Sequence, residues 1–196
     1  FLLLKKCKIF DEKTIVTCYT GRSMRIKVRK HERRGYQSIK MSNILEKQFL
    51  KQRNDFQKSC VERDKKYHFP QGVIFETDIA YAKDKNKAHR LDRYRPKGKE
   101  TQILPVIINV HGGGLLLGNK EFNKYFCALL SKKGFLVYSM EYRLIPDCTF
   151  FDQLRDIFLA MDFVKEHAAA DGGDLSHVYL VGDSGGACLA TYANAI

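Results

Sequence analysis

The apolar positions of this chain change their period along its length. Residues 1–40 show no sustained repeat. From Ser42 onward, Leu45, Phe49, Phe56 and Cys60 recur at spacings of 4, 7 and 4, on one face of a helix over 42–67. Lys, Arg and Gln fill the other face. Asn43 followed by Glu46 has the form of a capping box, and Pro70-Gln71-Gly72 is a breaker cluster beyond the far end. Such a stripe has to cover another apolar surface.

The pattern then shortens. Residues 73–81 read as a strand, 83–87 as a polar turn, and 91–96 as a second strand, which together predict an antiparallel hairpin. Longer apolar runs follow at 104–110, 135–140 and 178–181, each nearly continuous, as in a parallel sheet covered on both faces. Between and after them, 121–133, 150–167 and 185–196 have helical spacing. Strand and helix alternate in the manner of an α/β sheet with right-handed crossovers. The predicted fold is thus α/β, a mostly parallel sheet with an N-terminal antiparallel hairpin and a helical segment ahead of it. No apolar run approaches the ~18–20 residues of a membrane-spanning helix.

Charge changes the picture at one end only. The 196 residues carry a formal +12, distributed as +9 over 1–40, +6 over 41–100 and −3 over 101–196. Residues 1–40 are therefore read as a basic extension outside the fold, 41–72 as a helical segment, and 73–196 as the core. A basic tail can bind polyanions, but no nucleic-acid-binding module is recognisable and no nucleic-acid partner is expected. Six cysteines show neither a C-x-x-C pair nor metal-ligand spacing with histidine, so no metal site is expected. They read as reduced thiols in a cytoplasmic protein, with Cys127 and Cys188 as small core residues. Oligomeric state is not encoded in any motif.

Two glycine-rich turns follow buried strands, where open α/β sheets place their ligand sites. Gly182-Asp183-Ser184-Gly185-Gly186 lies between the strand 178–181 and the helix from 185. A G-x-S-x-G turn in that position is a nucleophile elbow. Gly182 and Gly186 keep side chains out of the crossing, the Ser184 hydroxyl projects into the cleft, and the helix N-terminus favours developing negative charge. The same five residues surround the serine of chymotrypsin-like proteases, but there Pro follows and the serine sits between strands. Here Ala187 and an Ala-rich helix follow. His111-Gly112-Gly113-Gly114 follows the strand 104–110, and three glycines let backbone N–H groups converge on one oxygen. In acyl transfer that is an oxyanion hole, where one lost donor costs about 3–4 kcal/mol of barrier lowering.

Four segments, in this order, resemble the N-terminal half of an α/β-hydrolase of the hormone-sensitive-lipase-like esterase family. They are Leu91-Asp92-Arg93-Tyr94-Arg95-Pro96, His111-Gly112-Gly113-Gly114, Tyr142-Arg143-Leu144-Ile145-Pro146-Asp147 and Gly182-Asp183-Ser184-Gly185-Gly186. The resemblance covers about residues 73–196. It implies Ser184 as nucleophile, the N–H groups of Gly113, Gly114 and Gly185 around the oxyanion, and His111 bracing its loop. It also implies that the helix 42–67 belongs to a cap, that the substrate is a short-chain carboxylic ester, and that no metal or organic cofactor takes part. Asp183 adjoins the nucleophile but points away from it in an elbow, as a supporting hydrogen-bond acceptor. Arg143 is expected to pair with a carboxylate such as Asp156, and Leu115, Leu116 and Leu117 to line either an acyl pocket or the core. His167 and His177 are expected in solvent at the opposite end of the sheet.

In this fold the triad order is Ser, then Asp or Glu, then His. The chain stops twelve residues after Ser184. It is therefore expected to be a fragment truncated after the elbow, with the strand 178–181 as an unpaired edge. Little or no esterase turnover is expected of it alone. Two other classes stay open: a non-catalytic small-molecule receptor on the same scaffold, and a polyanion-binding role for 1–40.

Overall fold

The computed structural model describes residues 14–19 and 43–195, with the backbone alone for 14–19 and Asn43. The elements in chain order are β1 (Thr14–Tyr19), α1 (Asn43–Asp64), β2 (Val73–Ala80), β3 (Arg90–Pro96) and β4 (Leu104–Val110). A 3-10 turn (Lys120–Asn123), α2 (Lys124–Lys132), β5 (Leu136–Met140), α3 (Phe150–His167), β6 (Gly173–Asp183) and α4 (Ser184–Ala195) complete them. One six-stranded sheet runs in the order β1-β6-β4-β5-β3-β2. Strands β5, β4 and β6 are parallel, whereas β3 on β5 and β2 on β3 are antiparallel.

The period-2 alternation of β4 divides the core between the two faces. Val106, Ile108 and Val110 point to α3 and α4 and pack with Leu154, Ile157, Leu180 and Leu189. Ile107 points the other way, to α2, and packs with Cys127, Leu130, Val137 and Val181. Both faces of the parallel strands are thus covered, which is why they read as unbroken apolar runs. Helix α3 starts on a capping box between Thr149 and Asp152.

Four expectations need correction. Residues 1–40 do not lie wholly outside the fold, because Thr14–Tyr19 pairs antiparallel with β6 from Thr14 opposite Asp183 to Tyr19 opposite Val178. For the same reason the 178–181 strand is not an edge: its free backbone donors and acceptors are met by β1. The rest of 1–40 lies outside the described residues. In α1, Phe49, Phe56 and Cys60 face inward, but Arg53 shares that face and Leu45 keeps 47% of its surface exposed. The side chain of Asn43, hence the capping box with Glu46, lies outside the described residues. Cys127 is fully buried, which pushes its thiol up to about 12, but Cys188 is exposed rather than in the core. Among the described residues no helix is long and apolar enough to cross a membrane.

Candidate active site

β6 passes into α4 with no intervening residue, and Ser184, the first residue of α4, has φ 48°. A side chain in the left-handed region costs roughly 1–2 kcal/mol, which is tolerated only where the surroundings fix the backbone. Here they do. A Cβ at Gly182 would lie 2.5 Å from the Gly186 carbonyl carbon, and one at Gly186 would lie 2.5 Å from the His111 carbonyl oxygen. The turn closes this tightly only because both positions lack side chains. Ser184 itself is exposed.

The second glycine turn rests against the first. A Cβ at Gly185 would stand 3.1 Å from the Gly114 nitrogen and 3.0 Å from that of Leu115. Gly113 has φ 123°, and a side chain there would strike the Leu117 backbone. Among the described residues, the N–H groups of Gly113 and Gly114 donate to no protein acceptor. That of Gly185 falls in the first turn of α4, where helices leave donors unmatched. The unmatched Gly114 donor thus lies in a turn that packs directly against Gly185, the residue after Ser184.

His111 supports this turn. It is fully buried and stacks on Tyr142 with ring centroids 4.3 Å apart. Its Nδ1 lies 2.8 Å from the Gly112 carbonyl oxygen and its Nε2 lies 2.9 Å from Glu141 Oε1. Both ring nitrogens thus face acceptors, and neither addresses Ser184. Tyr142 donates its hydroxyl proton to the His111 carbonyl at 2.7 Å, and burial raises its pKa. Asp183 turns away from Ser184: its Oδ1 accepts the Gly112 N–H at 2.9 Å and the Asn123 amide at 2.8 Å. Leu115, also left-handed at φ 70°, is held by its carbonyl, which accepts from Ile145 N–H and Gln153 Nε2. It packs against the core.

Helix α1 is pinned to this region by Arg53. Its guanidinium donates to the carbonyls of Leu116 (3.1 Å) and Ile145 (2.9 Å) and to Asp147 Oδ2 (2.7 Å). A cavity of about 510 Å³ lies between Arg53, Asn86–Ala88 and the stretch Glu141–Leu144, with Gly118 on its wall. Arg143 pairs with Asp156, which also receives His89. His167 and His177 are exposed. Among the described residues none hydrogen-bonds the Ser184 hydroxyl, and no group of three or more His, Cys, Asp and Glu is placed to hold a metal.

Sequence reasoning passed over Glu141, Asn123 and Arg53. A signal existed for part of this: Asn109 and Ser139 are polar residues inside otherwise apolar strands, and both point to the α2 face on which Asn123 sits.

A mixed sheet with a parallel centre (β5, β4, β6) flanked by helices, with a strained serine at the strand-to-helix junction beside a glycine turn, defines an α/β-hydrolase. The chain belongs to the BD-FAE family, whose model matches residues 91–195. A probable isoprenylcysteine alpha-carbonyl methylesterase of Oryza sativa subsp. japonica is 36% identical over 102 residues, 52% of this chain and 24% of the relative. Esterase B of Lactobacillus rhamnosis, solved with a tributyrin phosphonate inhibitor, superposes with TM-score 0.68 and 31% identity over 76% of this chain and 49% of that one. An esterase of the archaeon Pyrobaculum calidifontis gives TM-score 0.62 and 29% identity over 74% of this chain and 45% of that one. The chain thus spans about a quarter of the curated relative and about half of each solved esterase.

Proposed function

We propose that the protein hydrolyses carboxylic esters through an acyl-enzyme on Ser184. The observation that carries this reading is the packing of the Gly112–Leu115 turn, in which the Gly113 and Gly114 N–H groups donate to no protein acceptor, against Gly185 beside an exposed, left-handed Ser184. In the reaction, Ser184 Oγ attacks the ester carbonyl and its proton passes to a general base. The N–H groups of Gly113, Gly114 and Gly185 stabilise the oxyanion, the alcohol leaves, and water then releases the acid. The triad order assigns base and acid to sequence following Ser184. His111 and Asp183 support the turn and do not touch the reacting atoms. The relatives named above are esterases, and the tributyrin-type inhibitor of the Lactobacillus enzyme motivates a short acyl chain for this substrate. A cytoplasmic setting is proposed on the free thiols Cys60, Cys127, Cys148 and Cys188.

The test is hydrolysis of p-nitrophenyl acetate, butyrate and decanoate by the whole natural protein and its Ser184→Ala variant. The expected result is turnover falling with chain length and lost in the variant. Turnover that survives Ser184→Ala overturns the nucleophile assignment, and a preference for decanoate overturns the short-chain one.

A further inference from the structure

Four polar side chains stand on the α2 face of the sheet, three of them at one level. Asp92, Ser139 and Asn109 stand side by side, since Ser139 is in register with Asp92 across β3–β5 and with Asn109 across β4–β5. Asp183 stands on the same face of β6, two residues past Val181, the partner of Asn109. The 3-10 turn covers this row. The Lys120 ammonium pairs with Asp92 at 2.9 Å, the Lys120 carbonyl accepts from Ser139, and the Asn123 amide reaches Asp183 at 2.8 Å. The Lys120 N–H donates to Glu141, whose other oxygen faces His111. One turn thus touches both carboxylates that hold His111-Gly112-Gly113-Gly114.

We infer that Asn123 is a positioning residue for the oxyanion turn, an inference that rests on the ester-hydrolysis reading above. Asn123 and the Gly112 N–H share one oxygen of Asp183, at 2.8 and 2.9 Å. Asn123 fixes the rotation of that carboxylate, and the carboxylate fixes Gly112. Gly112 in turn sets the direction of the next two peptide units, which carry the Gly113 and Gly114 N–H groups. Asp183 has little room to compensate, because even a Cβ on Gly112 would overlap its side chain. An oxyanion donor acts on charge that exists mainly in the transition state, so misdirecting it lowers kcat and leaves KM nearly unchanged.

The experiment uses the whole natural protein with Asn123→Leu, which removes the donor at similar volume, and Asn123→Asp, which keeps the shape but sets a second carboxylate against Asp183. Two carboxylates at hydrogen-bond distance share a proton held above the usual carboxylate range. The bond is therefore present in Asn123→Asp at low pH and lost as pH rises. The other titratable groups around this point, Lys120, Glu121 and Asp92 at the 3-10 turn, Cys127 and Tyr142 beside Asp183, and His111 with Glu141 on the glycine turn, are common to wild type and variant, so the ratio of their rates isolates the added carboxylate. For Asn123→Leu the expected kcat loss is on the order of 10-fold or more, with KM within about twofold. Phosphonylation of Ser184 by a fluorophosphonate, in which Oγ displaces fluoride at phosphorus, should slow by a similar factor. For Asn123→Asp the kcat ratio to wild type should fall as pH rises. Amide exchange at Gly112 should accelerate in Asn123→Leu whether or not the protein is a hydrolase. Unchanged kcat, or unchanged Gly112 exchange, overturns the inference. A wild type that neither turns over ester nor takes the phosphonate, while Gly112 exchange still responds, sinks the hydrolase reading and leaves the tether standing.

Discussion

Gly186 sits directly beneath His111: a Cβ there would lie 2.5 Å from the His111 carbonyl oxygen. This is where the turn after β6 meets the turn after β4, and it exists because those strands are parallel neighbours with Val110 opposite Gly182. Nothing flexible separates the two backbones, so an added methyl has to push them apart. Gly186→Ala is expected to cost about 1–3 kcal/mol, the usual range for overpacking. Thermal denaturation should show a drop of about 2–4 °C per kcal/mol in a chain of this size.

Lys120 and Asp92 form a buried ion pair at 2.9 Å, with side chains 5% and 1% exposed. Burial tends to lower the Lys120 pKa, but the hydrogen bonds its ammonium donates to Glu121 and Asp92 outweigh it and raise the pKa overall, whereas burial raises the Asp92 carboxyl. Lys120→Met leaves that carboxyl in the protein without its ammonium and is expected to lose about 3–5 kcal/mol in denaturant titration. Lys120→Met with Asp92→Asn should recover part of the loss, since neither member of the pair is then charged. A double variant no better than the single one would show that the pair is not the cause.

Thr149 and Asp152 cap α3 reciprocally, with the Asp152 N–H donating to Thr149 Oγ1 and the Thr149 N–H donating to Asp152 Oδ2. Thr149→Ala is expected to cost about 1 kcal/mol near neutral pH. Hydrogen bonds from the Thr149 side chain and backbone hold the Asp152 carboxyl below its ordinary 3.8. For a depressed carboxyl, the stabilisation is present above the unfolded value and is lost as pH falls through the folded one. The gap between wild type and Thr149→Ala should therefore narrow below about pH 4 in denaturant titrations at pH 7 and pH 3.

Arg53 anchors α1 by two carbonyls and one carboxylate. The Asp147 partner is 67% exposed, so the ion pair contributes at most about 1 kcal/mol. The carbonyl bonds give the contact its direction. In Arg53→Ala, hydrogen exchange should accelerate through α1 while β4, β5 and β6 keep their protection. Equal acceleration in the sheet would show that α1 does not open as a separate unit.

What the order of residues determined by itself is local. The strands β2 to β6 and the helices α2, α3 and α4 were legible because apolar period and glycine placement act within a few residues. Ser184 was legible for the same reason, since an elbow is a five-residue steric problem solved by Gly182 and Gly186. The tertiary structure alone decided which distant groups meet. Asn123 and Asp183 are 60 residues apart, and Arg53 and Asp147 are 94 apart. A neutral Asn in a turn and an Arg on a basic helix have no periodic signature that distinguishes them from solvated neighbours. The pairing of Thr14–Tyr19 with β6 escaped likewise: a strand of six residues in a basic segment is chosen by the edge it fills. That edge exists only once β6 has joined β4, because backbone donors and acceptors are met by whatever the folded sheet brings within reach.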